Sequence, residues 1–547
     1  MNKLLLAILL FSITIPTLTF SEQLRPERDI KYLGAFRVPT NSSSNYSWGW
    51  VDNHSFVFNP SGGTLISPSM VISGHKKFGH VTEFSIPTPI ISNNKTLSEL
   101  NISTTVNDWT DITEGKWDIG RSSPRVSGMA IIAAQGLQSK DKIYWLTTDW
   151  YNPPTTPIET LGMSDLDFAT PNAKGPWIIH ADGIEPKASR TSRYLFNIPT
   201  KWADTNIPGG YYLASGENKI NSGGSLGACI YAIKTWTTDV PSASGADIDA
   251  IELLCPGSVS SHRRNFNHTD NDDYSWNDGQ NDAVWVQVGE RSAIMFSGNV
   301  ATLSASLYGD CDATTENCQY YKSQLPGDAD QVINPNLSCG DTCEKSPDAC
   351  SSGHDVNSEP YYRVLWLYNP EDLSKVANGT MESWQPQPYA KFNLEPYFWT
   401  TGRCVSDNIG GIAYDSVNQR VFITELKVDG TESSFDKTPI VHVFQLTDSG
   451  LGADTTPPPS VNTVSNDGSG GLSWEGVKDD SGLPVTYIVK RDGKPIIITD
   501  DTSYLDDVYN RFIGFPNHQY TITAMDSVGN SVDKTNSTPF PTILSIK

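Results

Sequence analysis

Between residues 25 and 450 the apolar positions fall in short runs that alternate with polar ones, and Gly, Pro, Asn or Asp bracket each run. Ser55-Phe56-Val57-Phe58, Lys142-Ile143-Tyr144-Trp145-Leu146 and Ala283-Val284-Trp285-Val286-Gln287-Val288 are of this kind. Tyr362-Arg363-Val364-Leu365-Trp366-Leu367 and Arg420-Val421-Phe422-Ile423-Thr424 are two more. A repeat of two sends successive side chains to opposite faces of a strand, and few stretches here carry the longer period of an amphipathic helix. The pattern predicts an all-β fold.

One arrangement recurs. A strand leads through an Asn/Asp-Pro or Gly turn to a second strand, and a third ends at Ile-Pro or a similar stop. Residues 57–66 followed by 81–87 read this way, as do 411–423 followed by 441–446. Tyr194-Leu195-Phe196-Asn197-Ile198-Pro199 reads as a further outer strand of the same type. Small antiparallel sheets repeated with irregular insertions are the sequence signature of a β-propeller. The length suits about seven blades, with five or six also open, and a β-sandwich joined to a β-helix is the alternative. Residues 29–39 form a strand able to pair with the last blade and close a ring.

Residues 451–459, Leu-Gly-Ala-Asp-Thr-Thr-Pro-Pro-Pro, make a linker stiffened by proline. Beyond it come Leu472-Ser473-Trp474, Tyr487-Ile488-Val489-Lys490-Arg491-Asp492-Gly493, Thr502-Ser503-Tyr504-Leu505-Asp506 and Tyr520-Thr521-Ile522-Thr523-Ala524-Met525-Asp526. Alternation puts Trp474, Tyr487, Val489 and Tyr520 on the core face of a sandwich. Residues 460–547 resemble a fibronectin type III domain of bacterial exported enzymes, which implies a spacer or attachment module without chemistry of its own. The larger region carries Tyr32-Leu33-Gly34-Ala35-Phe36-Arg37, Asp165-Leu166-Asp167, Trp202-Ala203-Asp204 and Tyr368-Asn369-Pro370-Glu371-Asp372-Leu373. On these it resembles exported bacterial propeller proteins, and in architecture it is similar to propeller-fold polysaccharide lyases, ulvan lyases among them. The resemblance implies an enzyme that cleaves an acidic polysaccharide by elimination. It aligns no lyase's catalytic residues with this chain.

Composition adds the compartment and removes some partners. Lys and Arg number 39 against 62 Asp and Glu, a net charge of −23, so nucleic acid and anionic membrane surfaces would be repelled. Lys3 precedes the apolar run 4–11, and Thr19-Phe20-Ser21 offers a cleavage site, so residues 1–21 read as a secretory signal peptide. No later stretch is long and apolar enough to span a membrane. All eight cysteines follow the leader, and an even number in an exported chain favours disulfides over zinc. Cys311 and Cys318 are close enough to close a small loop; Cys339, Cys343 and Cys350 share a Gly-Asp-Pro-rich insertion. The 15 Trp and 22 Tyr serve either strand packing or a groove in which sugar rings stack.

Elimination from a uronate needs a cation on the carboxylate, a base for the adjacent proton and an acid for the leaving oxygen. Arg suits the first role, and His or Tyr the others. Four basic patches supply them. The densest is His262, Arg263, Arg264 and His268. Lys187, Arg190, Arg193 and Tyr194, with His180 upstream, form the second. His75, Lys76, Lys77 and His80 read as a solvated hairpin turn, and Arg121 with Arg125 make the fourth. His262, Arg264, His268, His180 and Tyr194 are the catalytic candidates; Arg263, Arg190, Arg193, Arg121 and Arg125 are the candidates for holding an anionic polysaccharide. Exposed ion pairs of little energetic weight are the competing explanation for each patch. A glycoside hydrolase would instead need paired carboxylates, for which Asp165 with Asp167, or Asp111, Glu114 and Asp118, are available. A carbohydrate-binding or adhesion protein would need only the aromatics. Asp270, Asp272 and Asp273, with Asn277, Asp278 and Asp282, are oxygen-rich in the manner of a structural calcium site, though without the EF-hand pattern. Asp310, Asp312, Asp328 and Asp330 are similar in kind.

Overall fold

The computed structural model describes residues 22–39, 55–62, 67–74, 79–118, 125–148, 159–181, 191–217, 227–235, 244–256, 278–301, 361–401, 408–431, 437–466, 471–506 and 519–535, and the backbone alone of four further short strands. The alternation becomes strands where it is expected. After β1 (Glu22–Gln23) and a helical turn, Pro26–Asp29, comes β2 (Ile30–Arg37). A first sheet follows: β3 (Phe56–Asn59), β4 (Ser69–Ser73), β5 (His80–Ser85) and β6 (Thr105–Asp111). The second is β7 (Arg125–Ile132), β8 (Lys142–Thr148), β9 (Glu159–Asp165) and β10 (Lys174–Ala181). The third is β11 (Tyr194–Asn197), β12 (Leu213–Gly216), β13 (Ile230–Ile233) and β14 (Asp247–Leu254). β15 (Gly279–Val288) and β16 (Arg291–Ala301) open the fourth. The chain then forms a small separate sheet of β17 (Leu307–Cys311), β18 (Asn317–Tyr321), β19 (Gln331–Ser338) and β20 (Asp355–Asn357). β21 (Tyr361–Tyr368) and β22 (Pro388–Asn393) complete the fourth sheet. The fifth is β23 (Ile409–Asp415), β24 (Arg420–Asp429) and β25 (Thr438–Leu446), with β2 as its outermost strand.

The first strands of these sheets touch in sequence, β3 to β7 to β11 to β15 to β23, and β23 touches β3 again. Among the described residues five four-stranded units therefore touch in a ring, the second and third of them joined in one eight-stranded sheet; of the counts considered, seven, six or five, the described units number five. β11 corrects an expectation, since Tyr194–Asn197 lies innermost, against β7 and β15, rather than at an outer edge. The second and third sheets also join at their outer strands, where Ile178–Ala181 run parallel to Asp247–Ala250. The Cys229–Cys255 disulfide ties the start of β13 to the end of β14.

Period-two alternation explains why neighbouring sheets stack. On β15, Ala283 and Trp285 face the third sheet, packing with Phe196 and Tyr194, while Val284 and Val286 face the fifth, packing with Ile412 and Ile423. Each of the five joints holds one apolar cluster, which removes the inner strands of these units from water, while outer strands such as β6 and β14 stay partly exposed. Closure comes from the N-terminal strand, as expected. β2 pairs antiparallel with β25 from Ile30↔Leu446 to Arg37↔Ile440, and Phe36 enters the cluster between the fifth and first sheets. Gly34 sits at the bulge of β2 with φ 114°, and a Cβ there would come within 2.3 Å of the Ile90 backbone, so only glycine lets that segment approach.

Charged groups as well as apolar ones join the fourth and fifth sheets. Arg363 of β21 is wholly enclosed. Its Nε and Nη2 donate to the two Glu395 oxygens at 2.8 and 2.7 Å, and its Nη1 donates to Thr400 Oγ1 at 2.6 Å and reaches Glu425 at 3.4 Å. Glu425 also accepts the Trp399 and Thr400 N–H groups and faces His442 Nε2 at 2.8 Å. His442 Nδ1 lies 3.0 Å from the Tyr32 hydroxyl. A neutral imidazole with its proton on Nε2 satisfies both neighbours, because the carboxylate accepts and the phenol donates. Burial pushes the His442 imidazole below its ordinary value and the Tyr32 phenol far above its own. Burial would also raise Glu425, but the hydrogen bond from His442, the charge of Arg363 and the hydrogen bond from Thr400 hold it below the usual range.

The C-terminal residues form two further sheets. β26 (Val464–Asn466), β27 (Gly471–Trp474) and β30 (Ser503–Leu505) make one; β29 (Lys494–Thr499), β28 (Thr486–Arg491), β31 (Tyr520–Met525) and β32 (Ser531–Thr535) make the other. Trp474, Tyr487, Val489 and Tyr520 fill the core between them, the face their alternation assigns.

Arg363→Ala strands two buried carboxylates, so it is expected to lower unfolding free energy by about 3–5 kcal/mol, read from urea denaturation. A loss no larger than that of an exposed pair, about 1 kcal/mol or less, would mean that the cluster is solvated. Acid is expected to act in the same direction. His442 and Glu425 both bind protons more weakly when folded, so the unfolded chain protonates first as pH falls. Stability is then lost from about pH 6.5 downward through the lowered His442 value, and again below the ordinary 4.5 of a glutamate. The urea midpoint should fall between about pH 7 and about pH 5, and less steeply in His442→Gln; a midpoint that rose would contradict this.

Candidate functional site at the mouth of the ring

The starts of the five inner strands are bonded to one another. Ser192, just before β11, bonds through its hydroxyl to Thr148 at 3.0 Å, and its carbonyl accepts from Ser127 of β7 at 2.5 Å. Thr148 is the register partner of Arg125, the first residue of β7. Arg193 donates from Nη2 to Asn281 Oδ1 of β15 at 2.6 Å and lies 3.7 Å from Glu217. Asn281 in turn donates to the Ile409 carbonyl of β23 at 2.7 Å. Asp282 accepts the N–H groups of Ala283 at 2.9 Å and Ile412 at 3.1 Å, and that of Phe56 on β3. Burial pushes the Asp282 carboxyl well up, against these three donors and the Arg193 charge, which draw it down. β7, β11, β15, β23 and β3 thus begin at one end of the ring, around a girdle in which Arg125, Arg193, Glu217, Asn281 and Asp282 are all less than a tenth exposed.

This girdle includes two of the expected anion-binding arginines, Arg125 and Arg193, from patches far apart in sequence. Tyr194 has another role: its hydroxyl donates to the Cys229 carbonyl at 2.7 Å, its ring meets Phe296 edge-on, and it is wholly buried core rather than a proton donor to a ligand. His180 lies on β10, paired between β9 and β14 where the second and third units join, opposite Asp249, and is not among the girdle residues. His80 is on β5 opposite Asp111. His262, Arg263, Arg264, His268, Arg190 and Arg121, and the acidic Asp270, Asp272 and Asp273, lie outside the described residues. The described chain resumes after their segments at Asp278, Thr191 and Arg125, beside the starts of β15, β11 and β7. Asp282, grouped by sequence with the calcium-like run, spends its oxygens on backbone donors instead.

The first pair of carboxylates considered for hydrolysis is occupied locally, and Asp111 of the second set accepts from Thr113 and Gly115. Asp165 pairs with Lys142 and accepts from Asn172 at 3.0 Å, while Asp167 caps a turn through Ala169 and Thr170. Sequence reading missed Asn281 and Glu217, and it missed the Arg363–Glu395–Glu425–His442 chain altogether. Its one signal was polar residues at positions inside otherwise apolar strands, such as His442 between Val441 and Val443. Chemically that chain has the general base, acid and cation of an active site, but every group in it is sealed between two sheets and bonded within the fold. The girdle is buried as well, but it borders the points where the described chain resumes at Asp278, Thr191 and Arg125, and on that ground it is taken as the candidate site. The chain matches no known family model and no curated protein.

Asp282→Ala leaves three buried N–H groups without an acceptor, which at about 1–3 kcal/mol each predicts a severe loss of stability, whereas Asp282→Asn keeps one acceptor and should lose less. Chemical denaturation of both variants checks the order, and equal stability of Asp282→Ala and the parent would remove Asp282 as the pin between inner strands.

Proposed function

We propose that this is an exported five-bladed β-propeller protein with a C-terminal fibronectin type III-like domain, and that it cleaves an acidic, uronate-containing polysaccharide by β-elimination at the mouth of the ring. The carrying observation is the common end at which the inner strands start, because the segments with Arg121, Arg190 and His262–His268 each lead into one of those starts. Propellers draw their sites from such loops, so groups distant in sequence meet over one opening. The five sheets in cyclic contact support the propeller reading, and the three-plus-four sandwich supports the fibronectin-like one. The disulfide fits an oxidising compartment beyond the inner membrane, in keeping with the apolar leader.

In this reading Arg125 and Arg193 form a fixed cationic floor. Arg263 and Arg264 neutralise the substrate carboxylate, which makes the neighbouring C–H acidic. His262 and His268 are the groups suited to take that proton and to return one to the leaving oxygen. The reading extends to a structural calcium ion in the Asp270–Asp273 run. The local occupation of Asp165 and Asp167 weighs against hydrolysis by that pair.

Purified protein incubated with uronate polysaccharides should generate ultraviolet absorbance from unsaturated uronate together with new reducing ends. Arg264→Ala should lower kcat by roughly a hundredfold or more with an unchanged circular dichroism spectrum. Reducing ends without absorbance would establish hydrolysis, retention on a polysaccharide gel with neither signal would establish a binding protein, and full activity of Arg264→Ala would take that loop out of the site.

A further inference from the structure

Where the linker meets the C-terminal sandwich, three carboxylates converge. Asp454 belongs to the linker, and Asp479 and Asp480 to the turn between β27 and β28; one oxygen from each lies within 4.8 Å of the others. Asp454 and Asp479 are more than nine-tenths buried, and Asp480 is exposed. Asp479 accepts the Ser481 N–H at 2.9 Å through Oδ2, but its Oδ1 is buried with no hydrogen-bond donor. Asp454 accepts the Thr456 N–H through Oδ1 at 3.0 Å, while its buried Oδ2 has no hydrogen bond, only the Arg28 guanidinium 3.8 Å away. A fourth acid adds to the field. Asp526 is pushed above its usual value by burial, with the Asp479 charge contributing, although the Val528 and Asn530 donors pull it down. Glu27, which accepts the Asp454 N–H at 2.9 Å, adds a fifth.

Converging carboxylates, two of which keep a buried oxygen without a donor, repel and lose hydration, and one arginine at 3.8 Å does not balance them. An oxygen-only donor set of this charge, open to solvent on the Asp480 side, suits a hard divalent cation that completes its shell with water. We propose that Asp454, Asp479 and Asp480 bind a divalent cation of the calcium class, fixing the linker against the sandwich. Such an ion replaces repulsion between the linker and the 479–480 turn by bridging attraction. The site is separate from the Asp270–Asp273 run, and it does not depend on what happens at the mouth of the ring.

The test uses the full chain, freed of metal with a chelator and then titrated with calcium chloride by calorimetry. The parent should bind one more calcium ion than Asp479→Asn, and Asp480→Asn should bind it at least about tenfold more weakly. Calcium should raise the melting temperature of the parent by several degrees and leave Asp479→Asn unmoved at that transition. In chelator, Asp479→Asn should melt no lower than the parent, since the substitution keeps the Ser481 acceptor and removes one repelling charge. Equal stoichiometry in parent and Asp479→Asn overturns the proposal, as does a calcium shift that persists in that variant. A chelated Asp479→Asn that melts well below the chelated parent also overturns it, because the carboxylate would then be held by the protein itself.

Discussion

The ring exists because β2 pairs with β25. Tyr32 and His442, which meet across that pairing, are 410 residues apart, and closing so long a loop costs roughly 5 kcal/mol in chain entropy. That cost is modest because it grows only with the logarithm of loop length. The strand pairing from Ile30 to Arg37 and the burial of Ala35 and Phe36 offset it. Two charged anchors hold the ends of the joint. Arg37 donates to Asp429 at 2.5 Å, and Asp29, held below the usual aspartate range by Ser449, Arg25 and Arg291 despite its burial, receives Arg291 at 2.7 Å. Without the closing strand, β25 would expose an unpaired edge and the fifth sheet would lose its outer neighbour.

The same geometry explains where an acidic chain places its cations. Arg37, Arg125, Arg193, Arg291 and Arg363 are all less than a tenth exposed. Four of them bridge separate strands or sheets: Arg37 to β24, Arg193 to β15, Arg291 to the N-terminal turn, Arg363 to the segment leading into the fifth sheet. A planar guanidinium with a rigid fork of donors can serve two partners across such a joint, which the point charge of lysine does less well. These internal arginines are thus committed to construction. The contrast between basic patches and an acidic chain, visible in the sequence, therefore mixes two populations. Arg193 belongs to the structural one, even though its place on the girdle lets its charge contribute there.

Local alternation made the strands legible, since period two needs no tertiary information: β8, β15, β21, β24 and the sandwich face of Trp474 and Tyr487 fall where the pattern puts them. Ring size was not legible. The number of sheets depends on which runs share one sheet, and long insertions such as the one carrying β17–β20 inflate a count based on length. Tyr194–Asn197 was misplaced for a related reason. An inner strand covered on both faces and an outer strand with an Ile-Pro stop have similar short apolar sequences, and only the contacts with β7 and β15 separate them. Tyr194 itself has a phenol suited to proton transfer, but its O–H donates a hydrogen bond to the Cys229 carbonyl, and sequence does not reveal such a partner. The buried ionic chain stayed hidden because its members come from three strands and a loop.

The sandwich is not a bead on a string. The Asn393 N–H at the end of β22 donates to the Ser527 carbonyl at 2.8 Å, the Asn393 side chain donates to Thr486 at 2.8 Å, and Leu483 packs on the cluster between the fourth and fifth sheets. Lys95, from the connection between β5 and β6, reaches Asp500 at 3.2 Å. Proline stiffness in the linker and these contacts act together, since a short rigid connection reduces the entropy lost when the two units dock. Docking also covers the end of β22, an outermost strand whose edge would otherwise be open to pairing with another chain. The bonds from Asn393 and Lys95 therefore fix the C-terminal sheets to the fourth sheet and to the β5–β6 connection.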